Sequence, residues 1–111
     1  GPTNKSEFTV GYFTKHGDSG VDLLPIASFT KTQIRQLAKH LNIPSIIIEK
    51  PPTAGLWENQ TDEEELGFGY DVLDKYIERK TGPENIVKKI RDLEVKSEHK
   101  RNMPPIFMPS N

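Results

Sequence analysis

The sequence predicts a mostly helical piece of a larger layered fold, a set of helices without the sheet they should cover. Three observations lead there. Three segments carry apolar residues at helical spacing, and at most two short runs are apolar enough to be strands. Apolar residues make up only 33% of the 111 positions, against roughly 45–50% in an ordinary globular domain. A chain of this length supports one domain with one modest core, and the apolar deficit is what a piece of a larger core would show. The long polar connections between the helices argue against an idealised helical bundle.

Ser6–Phe13 is expected to form a short helix. Val21–Leu24 and Ser45–Ile48 are apolar runs too short for periodicity to separate strand from helix. Lys31–Leu41 places Ile34, Leu37, Ala38 and Leu41 on one stripe expected to be buried, with Thr30 as N-cap and Pro44 as the stop. From Pro51 to Asp62 the chain is poor in apolar residues, with Leu56 and Trp57 as its anchors. Glu63-Glu64-Glu65 reads as a solvated helix start, where acids favour the dipole. Tyr70–Arg79 is a helix on Tyr70, Leu73 and Ile77 behind the breaker Gly69. A third long helix opens at Gly82-Pro83, with Pro at the first helical position, and carries Ile86, Val87, Ile90 and Leu93 on one face. The tail Met103–Pro109 is too rich in Pro for a helix and is expected to run extended across a surface.

Composition excludes several functional classes. The net charge is −1 with both signs interspersed, so neither nucleic acid nor an anionic membrane is an expected partner. There is no Cys, hence no disulfide framework, thiolate nucleophile or Cys-based zinc site, which is compatible with a reducing cytoplasm. No apolar run approaches the roughly 20 residues of a membrane span.

Several short motifs could carry chemistry, and each also has an ordinary reading. Glu7 in Asn4-Lys5-Ser6-Glu7 and Lys15 after Gly11-Tyr12-Phe13-Thr14 set a carboxylate and an ammonium on either side of a helical turn, or simply decorate a surface. Gly17-Asp18-Ser19-Gly20-Val21-Asp22 lacks the further acid and closing Glu of an EF-hand calcium loop and is most simply a turn. Its paired carboxylates beside a lysine also suit a ribose or an amine. Pro51-Pro52-Thr53-Ala54-Gly55 is stiff and then abruptly permissive, a plain turn or a way to present a Thr hydroxyl and N–H groups to phosphate. Ser97-Glu98-His99-Lys100-Arg101 is a basic cluster able to meet an anion.

In order, these blocks are more specific than any one of them. The succession N-K-S-E, G-Y-F-T-K-x-G-D, V-D-L-L-P-I, T-K-T-Q, K-P-P-T-A-G-L-W, Q-T-D-E-E-E-L-G, Y-D-x-L-D and S-E-H-K-R-x-x-P-P, spanning Thr3 to Pro105, closely resembles the C-terminal half of ammonia-dependent NAD synthetases. The resemblance implies an α/β fold, a parallel-sheet sandwich of the adenine-nucleotide alpha hydrolase type, working as a cytoplasmic homodimer. It implies a ligase reaction: ATP adenylates the nicotinate carboxylate of deamido-NAD with Mg2+ as cofactor, and ammonia then displaces AMP. It also implies roles. Glu7 matches the magnesium carboxylate, Lys31 and Thr53 match ATP contacts, and Lys15, Asp22, His99 and Lys100 match contacts to deamido-NAD. Asp18 sits in the same loop as Asp22, where it is placed to orient or deprotonate the attacking ammonium, and Pro51–Asp62 resembles a mobile lid over ATP.

Three departures accompany the resemblance. The family's Ser-Gly-Gly-x-Asp-Ser phosphate loop occurs nowhere in the 111 residues. An ATP-contacting Thr of the family falls on Pro2, and Ser19 stands where many relatives carry Gly. Gly1-Pro2 therefore reads as a vector scar and residues 3–111 as the C-terminal half of the synthetase domain, inactive by itself. The alternatives are a non-catalytic helical interaction module and the C-terminal part of a glutamine-dependent NAD synthetase.

Overall fold

Asn4 starts the first helix. In the computed structural model, which describes residues 1–110, the Asn4 side chain accepts from the Glu7 N–H at 2.9 Å while the Asn4 N–H donates to Glu7 Oε2 at 3.0 Å. This reciprocal capping box opens α1 (Lys5–Val10). Gly11 closes α1 with φ 73°, left-handed backbone that suits glycine, and a Cβ there would overlap the Ser97 side chain. Thr30 and Gln33 form a second capping box for α2 (Lys31–His40). The short run Ser45–Ile48 resolves as a single helical turn, α3, and Val21–Leu24 is irregular, so there is no strand among the described residues and the sheet of the expected sandwich is not seen.

Thr61 caps α4 (Asp62–Leu66) by accepting from the Glu64 N–H at 3.2 Å. α5 is Tyr70–Arg79 as the sequence predicts, and α6 is Glu84–Lys96 followed by a 3₁₀ turn at Glu98–Lys100. Pro83 sits at the N-cap of α6 rather than at its first helical position, its φ of −57° feeding the helix from outside. The core gathers Val10 of α1, Phe68 before α5, Tyr70, Leu73 and Tyr76 of α5, and Ile90 of α6, with Ile77, Ile86, Val87 and Leu93 packed around them. Leu73 and Ile90 are fully buried, each contributing on the order of 1.5–3 kcal/mol by removal from water.

Two expectations are corrected. The stripe on α2 is not buried: Ile34 and Ala38 are half-buried and Leu37 and Leu41 are exposed, because α2 lies against α5 and α3 at the margin of the core. Its periodicity marks a face suited to cover without specifying what covers it. Glu63, Glu64 and Glu65 are exposed, as a solvated helix start should be, while Asp62 just ahead of them is only 4% exposed. Finally, the tail does not lie on the surface with its apolar side chains, for Ile106, Phe107 and Met108 all stand in solvent. The radius of gyration, 15.9 Å, accordingly exceeds the ~13 Å of a compact chain this size. No helix among the described residues is long and apolar enough to cross a membrane.

Lys100 and Arg101 bind the far end of the chain back to α1. Lys100 Nζ donates to the carbonyls of Gly11 at 2.8 Å and Phe13 at 3.0 Å. Arg101 donates to the carbonyls of Phe8, Thr9 and Glu94 and to Ser97 Oγ. These two cations supply the donors that the last carbonyls of a short helix otherwise lack. They also sit over a stacked Phe8–Phe13 pair, Lys100 above Phe13 and Arg101 above Phe8.

Candidate active-site groove

The capping box that starts α1 also fixes Glu7, and the loop after α3 brings Thr53 to it. Glu7, Tyr12, Asp18, Thr53, Ala54 and Asp62 line one pocket of about 240 Å³. Tyr12, Asp18 and Ala54 are shared with a second pocket of about 280 Å³, which reaches Lys100. Lys100 in turn is shared with a third, of about 390 Å³, lined by Lys15, His16, Gly20 and Arg101. The three form a continuous groove with an acidic end at Glu7 and Asp62 and a basic end at Lys15 and Arg101.

At the acidic end, burial pushes the Glu7 carboxyl up from its ordinary value. The Asn4 N–H and the nearby Lys31 act in the opposite sense, and Asp62 adds to the rise. Asp62 is held by Tyr70, whose hydroxyl donates to Oδ2 at 2.9 Å, while Asp62 Oδ1 is buried with no hydrogen-bond partner. Burial, followed by the bond to Asp62, raises the Tyr70 phenol well above its usual value. Tyr12 donates to Glu65 and is raised too, again chiefly by burial. Lys31 Nζ lies 5.6 Å from the Tyr70 ring centroid, which keeps this cation beside the Glu7–Asp62 pair.

A free helix N-terminus is a backbone anion site, but at the start of α2 the N–H groups are occupied. Lys31 N donates to Ser6 Oγ at 2.8 Å, Thr32 N to Asp74 Oδ2 at 2.7 Å, and Gln33 N to Thr30 Oγ1 at 3.2 Å. Any anion here meets the Lys31 side chain rather than the backbone.

Of the residues singled out from sequence, Glu7, Asp18 and Thr53 share one pocket, with Lys31 beside it. Lys15 lies at the other end, where its Nζ is 3.2 Å from His99 Nδ1. Lys100 lines the groove, yet its ammonium is engaged by two carbonyls. Asp18 takes part in a turn, accepting from Thr14 N–H at 2.9 Å. Asp22 is exposed and lines none of the three pockets. Sequence reasoning missed Asp62, Tyr70 as its holder, and Asp74. Nothing in local spacing marks them, although an acid directly after a helix-capping Thr, four residues ahead of the apolar Leu66, is a position that tertiary contacts can bury.

Two carboxylates and a Thr hydroxyl are hard oxygen donors suited to a magnesium ion that also touches phosphate. No group of three His, Asp or Glu side chains among the described residues is placed to hold a metal alone. The donor set fits a cation that completes its shell with water or phosphate oxygens.

The chain has counterparts among known proteins. The family model described as NAD synthase matches residues 1–104. The NH(3)-dependent NAD(+) synthetase of Carboxydothermus hydrogenoformans is 46% identical over 108 residues, covering 97% of this chain and 44% of that protein. The corresponding protein of Alkaliphilus oremlandii is 50% identical over 105 residues, 95% of this chain and 42% of its own length. A solved structure described as NMN synthetase from Francisella tularensis superposes with a TM-score of 0.88 at 37% identity, covering 98% of this chain and 45% of that one. The chain therefore spans less than half the length of these relatives. With nearly all of its residues inside the matched region, the chain belongs to the NAD synthase family.

Proposed function

We propose that this chain supplies the C-terminal half of the catalytic domain of an ammonia-dependent NAD synthetase, a cytoplasmic homodimer that amidates deamido-NAD to NAD with ATP. The observation that carries this reading is the single groove running from Glu7 and Thr53, past Asp18, to Lys15. Those are the ends that a triphosphate and a nicotinate dinucleotide need, with the reacting carboxylate between them.

In this reading Lys31 and Thr53 bind ATP, and Lys15, with His99 against it, binds the dinucleotide. Lys100 acts by holding the Gly11–Phe13 floor of the groove. The nicotinate carboxylate oxygen attacks the α-phosphorus and diphosphate leaves, its growing charge stabilised by Lys31. Glu7 would hold magnesium, which when bound neutralises phosphate charge. Asp18, at the middle of the groove, orients an ammonium ion and takes its proton. The nitrogen then attacks the acyl carbon and AMP departs with the anhydride oxygen. The Pro51–Asp62 segment closes over the site and keeps water from the acyl-adenylate.

The test is reconstitution. The 111-residue chain alone should make no NAD above a blank without protein, since it contains no Gly-rich phosphate loop. Joined to the N-terminal half of the Carboxydothermus hydrogenoformans relative, it should form NAD dependent on ATP and ammonium. Turnover by the chain alone overturns the first expectation. A requirement for glutamine in place of ammonium identifies the glutamine-fed form, and NMN measured alongside NAD reports the preferred acceptor. A joined protein that folds but makes neither product identifies a non-catalytic interaction module.

A further inference from the structure

Asp62 carries a feature that the proposed reaction does not use. Its side chain is almost wholly buried, and Oδ1 has no hydrogen-bond partner. A buried carboxylate oxygen without a donor loses its hydration with no return, so such an oxygen in a folded protein calls for an absent partner such as an ion. The protein donors around it are already directed elsewhere. Tyr70 Oη donates to Asp62 Oδ2, Tyr12 Oη donates to Glu65, and the Asp62 N–H donates to the Pro52 carbonyl at 3.0 Å.

Glu7 lines the same pocket, and the two carboxylates are held alike. Each has one oxygen fixed by a neighbouring donor, Asn4 N–H on Glu7 Oε2 at 3.0 Å and Tyr70 Oη on Asp62 Oδ2 at 2.9 Å. Outer hydrogen bonds of this kind orient carboxylates that ligate metals. Two like charges brought together in a half-buried pocket repel, and a divalent cation between them removes that repulsion.

We propose that Asp62, through Oδ1, is a second carboxylate ligand beside Glu7 for the divalent cation of this groove. A hard ion of the magnesium type, held by one or two carboxylates and completed by water and phosphate oxygens, fits such a pair. The cation joins the end of the Pro51–Asp62 segment to α1, so that its binding fastens the base of the proposed lid. The inference rests on the functional reading for the phosphate, while the cation site stands on Glu7 and Asp62 alone.

The probe is Mn2+, which reports on such sites by electron paramagnetic resonance and by broadening nearby amide signals. The 111-residue chain at neutral pH should show one saturable Mn2+ site. Asp62→Asn, which keeps an acceptor for Tyr70, and Glu7→Gln should each raise its Kd at least about tenfold, whereas Asp92→Asn, at an exposed position of α6, should leave it unchanged. In the wild-type chain, amide signals of residues 6–8 and 61–63 should broaden first, a reading that does not depend on any variant folding. Absence of a saturable site, wild-type affinity in Asp62→Asn, or broadening centred elsewhere overturns the proposal. Loss of binding in Glu7→Gln with retention in Asp62→Asn removes Asp62 and leaves the functional reading intact. Loss in both, with no product from the reconstituted enzyme, removes the functional reading and leaves the cation site.

Discussion

The Asp74 carboxylate fastens the start of α2 through Thr32, whose N–H donates to Oδ2 at 2.7 Å and whose hydroxyl donates to the same oxygen at 2.5 Å. Its other oxygen accepts from Ser6 Oγ, which itself accepts from the Lys31 N–H at 2.8 Å. One buried acid on α5 thereby sets the helix bearing Glu7 against the helix bearing Lys31. Asp74→Ala leaves three donors without a partner and should lower unfolding stability by about 3–5 kcal/mol in urea denaturation. Asp74→Asn, which keeps acceptor capacity, should lose less.

Lys100 and Lys15 should separate stability from binding. Lys100 holds two carbonyls inside the fold, so Lys100→Ala should destabilise by roughly 1–3 kcal/mol. Lys15 pairs with His99 through an exposed contact in the groove, so Lys15→Ala should stay within about 0.5 kcal/mol of wild type. In the reconstituted enzyme, Lys15→Ala should instead raise the KM for deamido-NAD. A large stability loss in Lys15→Ala would place it in the scaffold.

Tyr12 and Tyr70 should resist alkali. Tyr12 and Tyr70 have phenols raised above the ordinary value of 10.0 by burial and by bonds to Glu65 and Asp62. A folded value above the unfolded one means that the stability these protonated phenols confer is complete below pH 10 and is lost as pH rises toward the folded values. Absorbance at 295 nm should show their ionisation delayed in the folded chain relative to the chain in urea. Ionisation of Tyr12 and Tyr70 near pH 10, with the fold intact, would contradict the hydrogen bonds assigned here.

Lys31 and Thr53 should differ in weight if both meet ATP. Lys31→Ala removes a positive charge facing polyphosphate and should cost roughly 2–4 kcal/mol of transition-state stabilisation, or about 30- to 1,000-fold in rate. Thr53→Ala removes a neutral hydroxyl and should cost on the order of 0.5–1.5 kcal/mol. Diphosphate release by the reconstituted enzyme at saturating ATP measures both, and near wild-type turnover in Lys31→Ala would remove it from the site.

By itself the sequence determined the helices whose signals are local. Tyr70, Leu73 and Ile77, the Thr30 cap and the Gly82-Pro83 start are legible because helical hydrogen bonds and caps join residues three or four apart. The order of eight short blocks pointed to the NAD synthase family, to which the chain belongs. Tertiary structure alone decided the rest. Ser45–Ile48 was too short for a period, and it became a helical turn. The amphipathic stripe of α2 announced a face without its partner. Asp62, Asp74 and Lys100 take their meaning from Tyr70, Ser6, Thr32 and Gly11, most of them dozens of residues away in the chain. No spacing rule carries such a pairing, because burial and hydrogen bonding depend on which segments the fold brings together, and charge type alone reads an acid or a lysine as solvated.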